Sequence, residues 1–316
     1  MGSKHINMAS NLKYLIIGTG GVGGCITAFL TLAGNDTSCI ARGEALKAFQ
    51  QRGMIFHSDL KGELDVPVKA YSAEEYSEKA DVIFVTVKGY SIDSIGDIIR
   101  KASHKDTIVI PVLNVYGTGP KIHRLVPEVN VLDGCIYIVG FKSGVGEISQ
   151  MGSIFHMVFG VPKGQTVAPE LLETVCKDLR DAGIEVTLSD DIDRDTFIKW
   201  SFISAMSLTG AYFDIPMGPI QHPGEERDFF AALTKESSAV GEKLGIDFGC
   251  DMVAHHLGVI DTLDPASTAS MQKDLKAGHT SEIQGQLFDL VDRAHELGIA
   301  TPTYDKVIAK FSEYRK

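Results

Sequence analysis

The hydrophobic pattern of the chain changes near residue 190. Before that point, short apolar runs at 14–17, 82–87, 108–110 and 135–139 alternate with stretches of helical periodicity. Continuous apolar runs of this length are typical of strands that are buried on both faces of a parallel sheet. The alternation therefore predicts an α/β domain with a mostly parallel, doubly wound sheet. Segment 144–160 instead predicts a hairpin that adds an antiparallel edge to that sheet.

After residue 192 helical periodicity dominates, with helices predicted at 197–211, 225–244, 266–277 and 282–297. The last of these carries one apolar stripe, formed by Ile283, Leu287, Leu290, Val291 and Ala294. We predict a Rossmann-type, dinucleotide-binding domain over 11–191 and an all-helical C-terminal domain over 192–316. Residues 1–10 are interpreted as a tag or start remnant and take no part in fold reasoning.

A glycine loop follows the first predicted strand and consists of Gly18, Thr19, Gly20, Gly21, Val22 and Gly23. The residues after it have the periodicity of a helix that packs on a sheet. In a G-x-G-x-x-G loop, the first glycine makes a tight turn and the second lets backbone N–H groups approach a pyrophosphate. The third lets helix and strand pack closely. We therefore predict that these six residues bind a dinucleotide.

Arg42 follows the second predicted strand, at 37–41. An NAD site usually has an acidic residue here for the ribose 2′-hydroxyl, whereas an arginine can pair with the 2′-phosphate of NADP. Arg42 therefore predicts NADPH or NADP as the cofactor. The alternative is a solvated arginine at the end of a strand.

Lys199 is the only charged residue in the apolar helical stretch 197–208. An unpaired ammonium is costly to bury, so such a group either loses its proton or finds an anion. We interpret Lys199 as a catalytic candidate, and the alternative is a lysine whose amine reaches water from the first turn. Ser270 is a candidate in a helix predicted to start near Pro265, and its ordinary explanation is a small polar filler. Glu282 is a candidate in the first turn of the next helix, and its ordinary explanation is a favourable contact with the helix dipole.

Composition narrows the classes of partner. The formal net charge of -11 argues against nucleic acid, whose binding needs clustered Lys and Arg. The five cysteines are scattered, without C-x-x-C pairs or histidines at metal-ligand spacing, so we predict reduced thiols and no metal. No apolar run reaches bilayer length and nothing resembles a secretory signal, so we expect a cytoplasmic protein with no membrane partner.

Six motifs in order along the chain resemble the 2-dehydropantoate 2-reductase, or ketopantoate reductase, family from residue 12 to about residue 311. They are the glycine loop, Arg42, Val87-Lys88, the loop around Asn114, Lys199, and the segment from Ser270 to Glu282. The resemblance implies a Rossmann domain followed by a helical domain, with the active site between them.

The resemblance also implies residue roles. Lys199 would be the general acid that protonates the alkoxide as hydride arrives, and Glu282 would orient the substrate and that lysine. Ser270 would hold the substrate carboxylate, whereas Asn114 and Lys88 would line the nicotinamide side of the cleft. The alternative for Lys88 is an exposed loop charge, and the alternative for Asn114 is a turn residue.

The chain departs from the family pattern at three positions. The family usually has an asparagine four residues after the lysine and often another four later, but here these positions are Ile203 and Ser207. Val115 replaces a common glycine. Ser207 is retained as a substrate-binding candidate, because residues four apart share a helix face.

We predict NADPH-dependent reduction of a small 2-oxo acid to its 2-hydroxy acid, with ketopantoate to pantoate as the leading reaction. One alternative is a related reductase that acts on a different oxo acid. The other is a catalytically silent NADPH-binding sensor, which would have no reason to keep a charge such as Lys199 in a buried helix. The expected partner is an anionic small molecule, and a homodimer is the expected assembly if the chain associates.

Overall fold

The computed structural model describes residues 10–315, so the predicted remnant at 1–10 lies outside the described residues except for Ser10. The chain forms two compact units. The first runs to Leu113 and resumes at Gly117–Ile192. The second comprises Asn114–Tyr116 and the chain from Asp193 onward. A three-residue segment that interrupts the first unit therefore belongs to the second.

Eleven strands are formed within residues 10–315. In chain order they are β1 Lys13–Ile17, β2 Asp36–Ile40, β3 Met54–Ser58, β4 Gly62–Val66, β5 Lys69–Tyr71, β6 Ala80–Val85, β7 Ser103–Pro111, β8 Asn130–Val131, β9 Asp133–Gly144, β10 Glu147–Gly160 and β11 Glu185–Leu188.

The same residues form eleven α-helices. They are α1 Gly21–Leu32, α2 Gly43–Arg52, α3 Gly96–Ala102, α4 Thr118–Leu125, α5 Pro169–Ala182, α6 Ile192–Phe213, α7 Glu225–Lys243, α8 Met252–Ile260, α9 Ser270–Lys276, α10 Asp289–Glu296 and α11 Pro302–Phe311. The first five helices belong to the α/β unit, and α7 to α11 belong to the helical one.

The first unit is built around a six-stranded sheet in the order β5-β2-β1-β6-β7-β8. Its strand pairs are all parallel. Apolar residues of α1 and α5 pack with one face of this sheet, and those of α3 and α4 pack with the other. The predicted fold class, a doubly wound parallel sheet followed by an all-helical region, is confirmed.

A second sheet of five strands covers α1 and α5 on their other side. Its order is β11-β10-β3-β4, and β9 pairs antiparallel with β10. The prediction that 135–139 belongs to the parallel sheet is wrong, because this run lies in β9. Its inner residues pack in the core, but Tyr137 and Val139 lie on the exposed outer face, so apolar residues on both faces imitated a fully buried strand.

The hairpin predicted within 144–160 is wrong, because residues 147–160 form a single strand that is one arm of a larger hairpin. Its two arms are β9 and β10, and they belong to the second sheet rather than to an edge of the parallel one. Gly146, with φ of 73°, lies in the turn between them. The β3–β4 hairpin was not predicted, because β4 is mostly exposed and has no apolar run.

The helical unit surrounds α6. Phe197, Trp200 and Leu208 of this helix are buried with residues of the later helices, among them Phe230, Leu287 and Tyr304. The helix predicted at 266–277 begins only at Ser270, since residues 265–266 form a turn. Helices α8 and α11 were not predicted.

The cysteines are free, as predicted: Cys250 is exposed and the other four are buried. Within residues 10–315, no group of His, Cys, Asp or Glu side chains is arranged to hold a metal ion. None of the helices in this range has the length and apolar character that crossing a bilayer requires.

The buried His256 of α8 makes stability depend on pH. Its Nε2 lies 2.9 Å from Ser201 Oγ of α6, and burial, with a smaller contribution from His255, lowers the pKa of His256 to about 3. The unfolded chain, in which a histidine titrates near pH 6.5, therefore binds more protons than the folded chain between pH 3 and 6.5. The stabilising contribution is complete above that interval and is lost as the pH falls through it.

We predict that the wild-type chain loses about 2 to 3 kcal/mol more unfolding free energy than His256→Asn between pH 7 and 4.5. Urea unfolding at several pH values measures this difference, since the other titrating groups are common to both chains. Parallel stability curves for the two chains would contradict the buried, neutral histidine.

Candidate functional site

The three glycines of the loop motif have three different structural reasons. Gly18 has φ of 105°, and a Cβ there would lie 2.8 Å from Val87 Cγ1. A Cβ on Gly23 would lie 2.2 Å from the carbonyl oxygen of Gly18, which shows how closely helix and strand approach. A Cβ on Gly20 would meet no atom within 4 Å. Packing therefore explains two of these glycines, and the third faces open space.

The open space at Gly20 lies at the start of α1. Gly20 is the N-terminal cap of this helix, and the first turn contains no acidic residue. The first N–H groups of a helix have no partner inside it and carry the positive end of the helix dipole, so this end suits an anion.

The other loop residues, Thr19, Gly21 and Val22, are held by neighbouring parts of the first unit. Thr19 Oγ1 donates a hydrogen bond to Ile40 O at the end of β2, at 3.2 Å. A Cβ on Gly21 would lie 2.1 Å from Gly140 O of β9, so this glycine is also required by packing. Val22 is half-buried. The loop is thus held rigidly while its outer surface stays open.

Arg42 lies two residues after the end of β2 and is the N-terminal cap residue of α2. It is exposed, and among the described residues 10–315 no carboxylate forms an ion pair with its guanidinium. Thr19 joins the glycine loop to the end of the same strand. Arg42 can therefore meet an anionic ligand without giving up an ion pair to a described carboxylate.

The segment after β6 lies against the glycine loop. Thr86 Oγ1 donates to Gly18 O at 2.7 Å, and Val87 contacts Gly18. The next residue, Lys88, is half-buried and precedes a short 3-10 helix, Gly89–Ser94. Lys88 therefore follows two residues that contact the loop, and one of them, Thr86, was not predicted from the sequence.

In the helical unit, Lys199 is only 6% exposed, and its Nζ donates a hydrogen bond to Asn114 Oδ1 at 2.9 Å. Tyr116 holds the segment that carries Asn114, because its ring packs on Phe197 and Trp200 with centroids 5.0 and 5.7 Å away. The amide oxygen of Asn114 thus orients the amine, while its NH₂ group remains a donor.

The valine at position 115 has a matching partner. A Cβ on Gly285 would lie 2.6 Å from Val115 Cγ1, so the valine side chain occupies the space that a glycine at 285 leaves. Trp200 Nε1 donates to Gly285 O at 3.1 Å. The departure at Val115 is therefore accommodated by Gly285, a residue that sequence reasoning missed.

Glu282 is 6% exposed. It was predicted in the first turn of a helix, but it lies just before the helical segment. Gln286 N donates to its carbonyl at 3.1 Å. A single π-helical turn, Gln284–Phe288, then precedes α10. Ser204 Oγ of α6 donates to Gln286 O at 2.6 Å and fixes this turn against the helix that carries Lys199. Such π-turns are frequent at functional sites.

The remaining candidates differ in burial. Ser207 is 1% exposed and lies two turns after Lys199 on α6. Ser270 is exposed and is the first residue of α9 rather than an interior helical residue. Its position at a helix start leaves its backbone N–H without a partner inside the helix, so it can bind an anionic group.

Comparison with known proteins identifies the family. Residues 14–164 match the family described as ketopantoate reductase PanE/ApbA, and residues 191–315 match the ketopantoate reductase PanE/ApbA C-terminal domain. Together these ranges cover most of the chain. The chain therefore belongs to the ketopantoate reductase PanE/ApbA family of oxidoreductases, as its motifs predicted.

Individual relatives are distant. An uncharacterized oxidoreductase of Bacillus subtilis, YkpB, is 26% identical over 303 residues, which cover 96% of this chain and 99% of the relative. The 2-dehydropantoate 2-reductase of Aquifex aeolicus is 25% identical over 297 residues, covering 92% and 93%. The ternary structure of D-mandelate dehydrogenase with NADH and anilino(oxo)acetate shares the fold, with a TM-score of 0.84, 21% identity, and coverage of 94% and 96%.

An added methyl group should destabilise the protein at Gly23 but have almost no effect on stability at Gly20. Gly23→Ala should lower the unfolding free energy by about 1 to 3 kcal/mol, because its Cβ would overlap the carbonyl of Gly18. Gly20→Ala should change it by no more than about 0.5 kcal/mol, since its φ of -76° suits alanine and the space is open. Denaturant unfolding of both variants measures this, and equal losses would refute the assignment.

Proposed function

We propose that this chain reduces a small 2-oxo acid to the 2-hydroxy acid with NADPH as hydride donor, with ketopantoate as the reference substrate. The observation that carries the proposal is the buried Lys199 amine, held by Asn114 at 2.9 Å. Membership of the ketopantoate reductase family supports the reaction class.

The residues of the first unit fit a dinucleotide. The open space at Gly20 and the start of α1 suit a pyrophosphate, and Arg42 suits a 2′-phosphate. Lys88 adds a second cation beside the loop. When bound, NADPH supplies the hydride that reduces the ketone. The D-mandelate dehydrogenase structure contains NADH rather than NADPH. In this chain Arg42 favours NADPH, because its guanidinium can pair with the 2′-phosphate that NADH lacks.

Lys199 acts as the general acid. During hydride transfer to a ketone, negative charge develops on the carbonyl oxygen, and a preoriented cation in surroundings with little water stabilises that charge most. The amine of Lys199 donates to this oxygen and gives it a proton. Asn114 orients the amine through its amide oxygen and offers its NH₂ group to the substrate.

Three further side chains complete the proposed site. Glu282, buried next to the π-turn, orients the substrate and the lysine amine. Ser270 holds the substrate carboxylate at the start of α9. Ser207 offers a buried hydroxyl on α6.

A related reductase with a different oxo acid is the second candidate. It is favoured by Ile203, which places an apolar side chain one turn from the amine, and by the shared fold of a D-mandelate dehydrogenase. A silent NADPH-binding sensor requires the glycine loop and Arg42 but no buried lysine. The homodimer stays a prediction.

Lys199→Ala should lower kcat about 100- to 10,000-fold with little change in the affinity for NADPH, because the residue stabilises the transition state rather than the nucleotide. The measurement is NADPH absorbance while small 2-oxo acids, including ketopantoate, are supplied one at a time. Lys306→Ala, an exposed lysine of α11, is the matched control and should keep full activity.

Unchanged turnover in Lys199→Ala would remove this lysine from the chemistry. Absence of NADPH consumption with every 2-oxo acid at micromolar enzyme would favour the silent sensor.

Arg42→Asp should weaken NADPH binding about 10- to 100-fold more than NADH binding, since the lost charge-assisted contact involves only the 2′-phosphate. Titration calorimetry with both nucleotides measures this difference. Lys105→Asp makes the same charge change at a highly exposed position and should affect neither. Equal losses for NADPH and NADH in Arg42→Asp would contradict the assignment.

A further inference from the structure

The face of α6 that carries Lys199 becomes apolar one helical turn later. Ile203 follows the lysine at i+4, so the two side chains share a face with their Cβ atoms about 6 Å apart. Ser207 continues this face by another turn. An amine, an isoleucine and a hydroxyl therefore follow each other along roughly 12 Å of helix.

The side chain of Ile203 does not belong to the hydrophobic core of the helical unit. It is half-buried and is not among the side chains of the helical core cluster, whereas its neighbours Phe202 and Met206 pack against that cluster. Trp200 and Ser204 bond to backbone carbonyls of the π-helical segment. The contacts that fix α6 thus come from other faces, and the isoleucine lies on the side of the amine.

We propose that Ile203 is a specificity-determining residue, which selects 2-oxo acids whose group beyond the ketone carbon is apolar. This inference rests on the proposed function, in which the substrate's ketone oxygen accepts from Lys199. That oxygen places the two substituents of the ketone carbon on either side of the amine. In this proposal one of them extends along α6 to Ile203, which follows the lysine by one helical turn.

The chemistry of the two substituents decides which one faces the isoleucine. An ionised carboxylate is far more costly to remove from water than an alkyl or aryl group. The NH₂ group of Asn114 and the hydroxyl of Ser270 are donors that suit a carboxylate, whereas the side chain of Ile203 offers none. The remaining substituent therefore meets the isoleucine side chain.

A hydroxyl on that substituent is unfavourable. Against the methyl groups of Ile203 it loses hydrogen bonds to water, and those methyl groups offer none in return. An apolar group of the same shape loses nothing and buries its surface. We therefore expect the chain to prefer the hydroxyl-free acid of a matched pair by about 10- to 100-fold in kcat/KM.

The test compares ketopantoate, which is 4-hydroxy-3,3-dimethyl-2-oxobutanoate, with 3,3-dimethyl-2-oxobutanoate, which lacks only the hydroxyl. We expect the wild-type chain to favour the second acid by at least about tenfold in kcat/KM. Ile203→Asn, which offers an amide to the hydroxyl, should lower that preference at least about tenfold. Ile203→Val, the apolar control, should keep it within about threefold.

Binding provides a second readout that does not depend on turnover. Trp200 is the only tryptophan of the chain and is adjacent to Lys199 in the sequence, so its fluorescence reports on ligand binding near this part of α6. Titration of the protein with NADP⁺ and each matching 2-hydroxy acid should give the same order of Kd values as the kinetics. Thermal melting verifies that Ile203→Asn is folded, and if it is not, Ile203→Thr replaces it.

The outcomes separate this inference from the proposed function. Equal or better use of ketopantoate by the wild-type chain overturns the inference and leaves the reductase intact. An unchanged preference in the folded polar variant shows that another residue determines it, and overturns the role of Ile203. No NADPH consumption with any 2-oxo acid overturns both.

Discussion

The proposed chemistry depends on one hydrogen bond, from Lys199 Nζ on the apolar helix α6 to Asn114 Oδ1. A buried ammonium is unfavourable unless a polar partner holds it, and a short segment supplies that partner by leaving the α/β unit and joining the helical one. Tyr116 anchors this segment on two aromatic rings of α6, and Val115 fills the space above Gly285. Packing thus keeps Asn114 beside the Lys199 amine, which would be costly to bury without a polar partner.

In the glycine loop the important feature is not a contact but the open space beside Gly20. Gly18 and Gly23 are explained by a positive φ and by close approach, whereas a Cβ added at Gly20 would meet no atom within 4 Å. Rigid support on one side and an open helix start on the other are what an anion needs for binding without reorganisation. Arg42 is exposed just after β2, and in the proposed function its guanidinium pairs with the 2′-phosphate of NADPH.

Much of this could be predicted from the sequence, since the glycine loop, Arg42 and Lys199 are recognised from local pattern and charge. What could not be predicted depends on contacts between distant segments. The run at 135–139 looked like a buried parallel strand because β9 carries apolar residues on both faces. The late start of α9 at Ser270 and the π-turn after Glu282 are set by tertiary packing, to which helical periodicity is blind. The partnership of Val115 with Gly285 joins positions far apart in the chain.

The central claim is that the Lys199 amine meets the oxygen that becomes negative during reduction. The most direct measurement is a crystal structure of the protein with NADP⁺ and a bound 2-hydroxy acid. The account predicts Lys199 Nζ within about 3 Å of the C2 hydroxyl oxygen, with Asn114 still bonded to the amine. A lysine amine turned to solvent, or separated from that oxygen by another protein group, would contradict it.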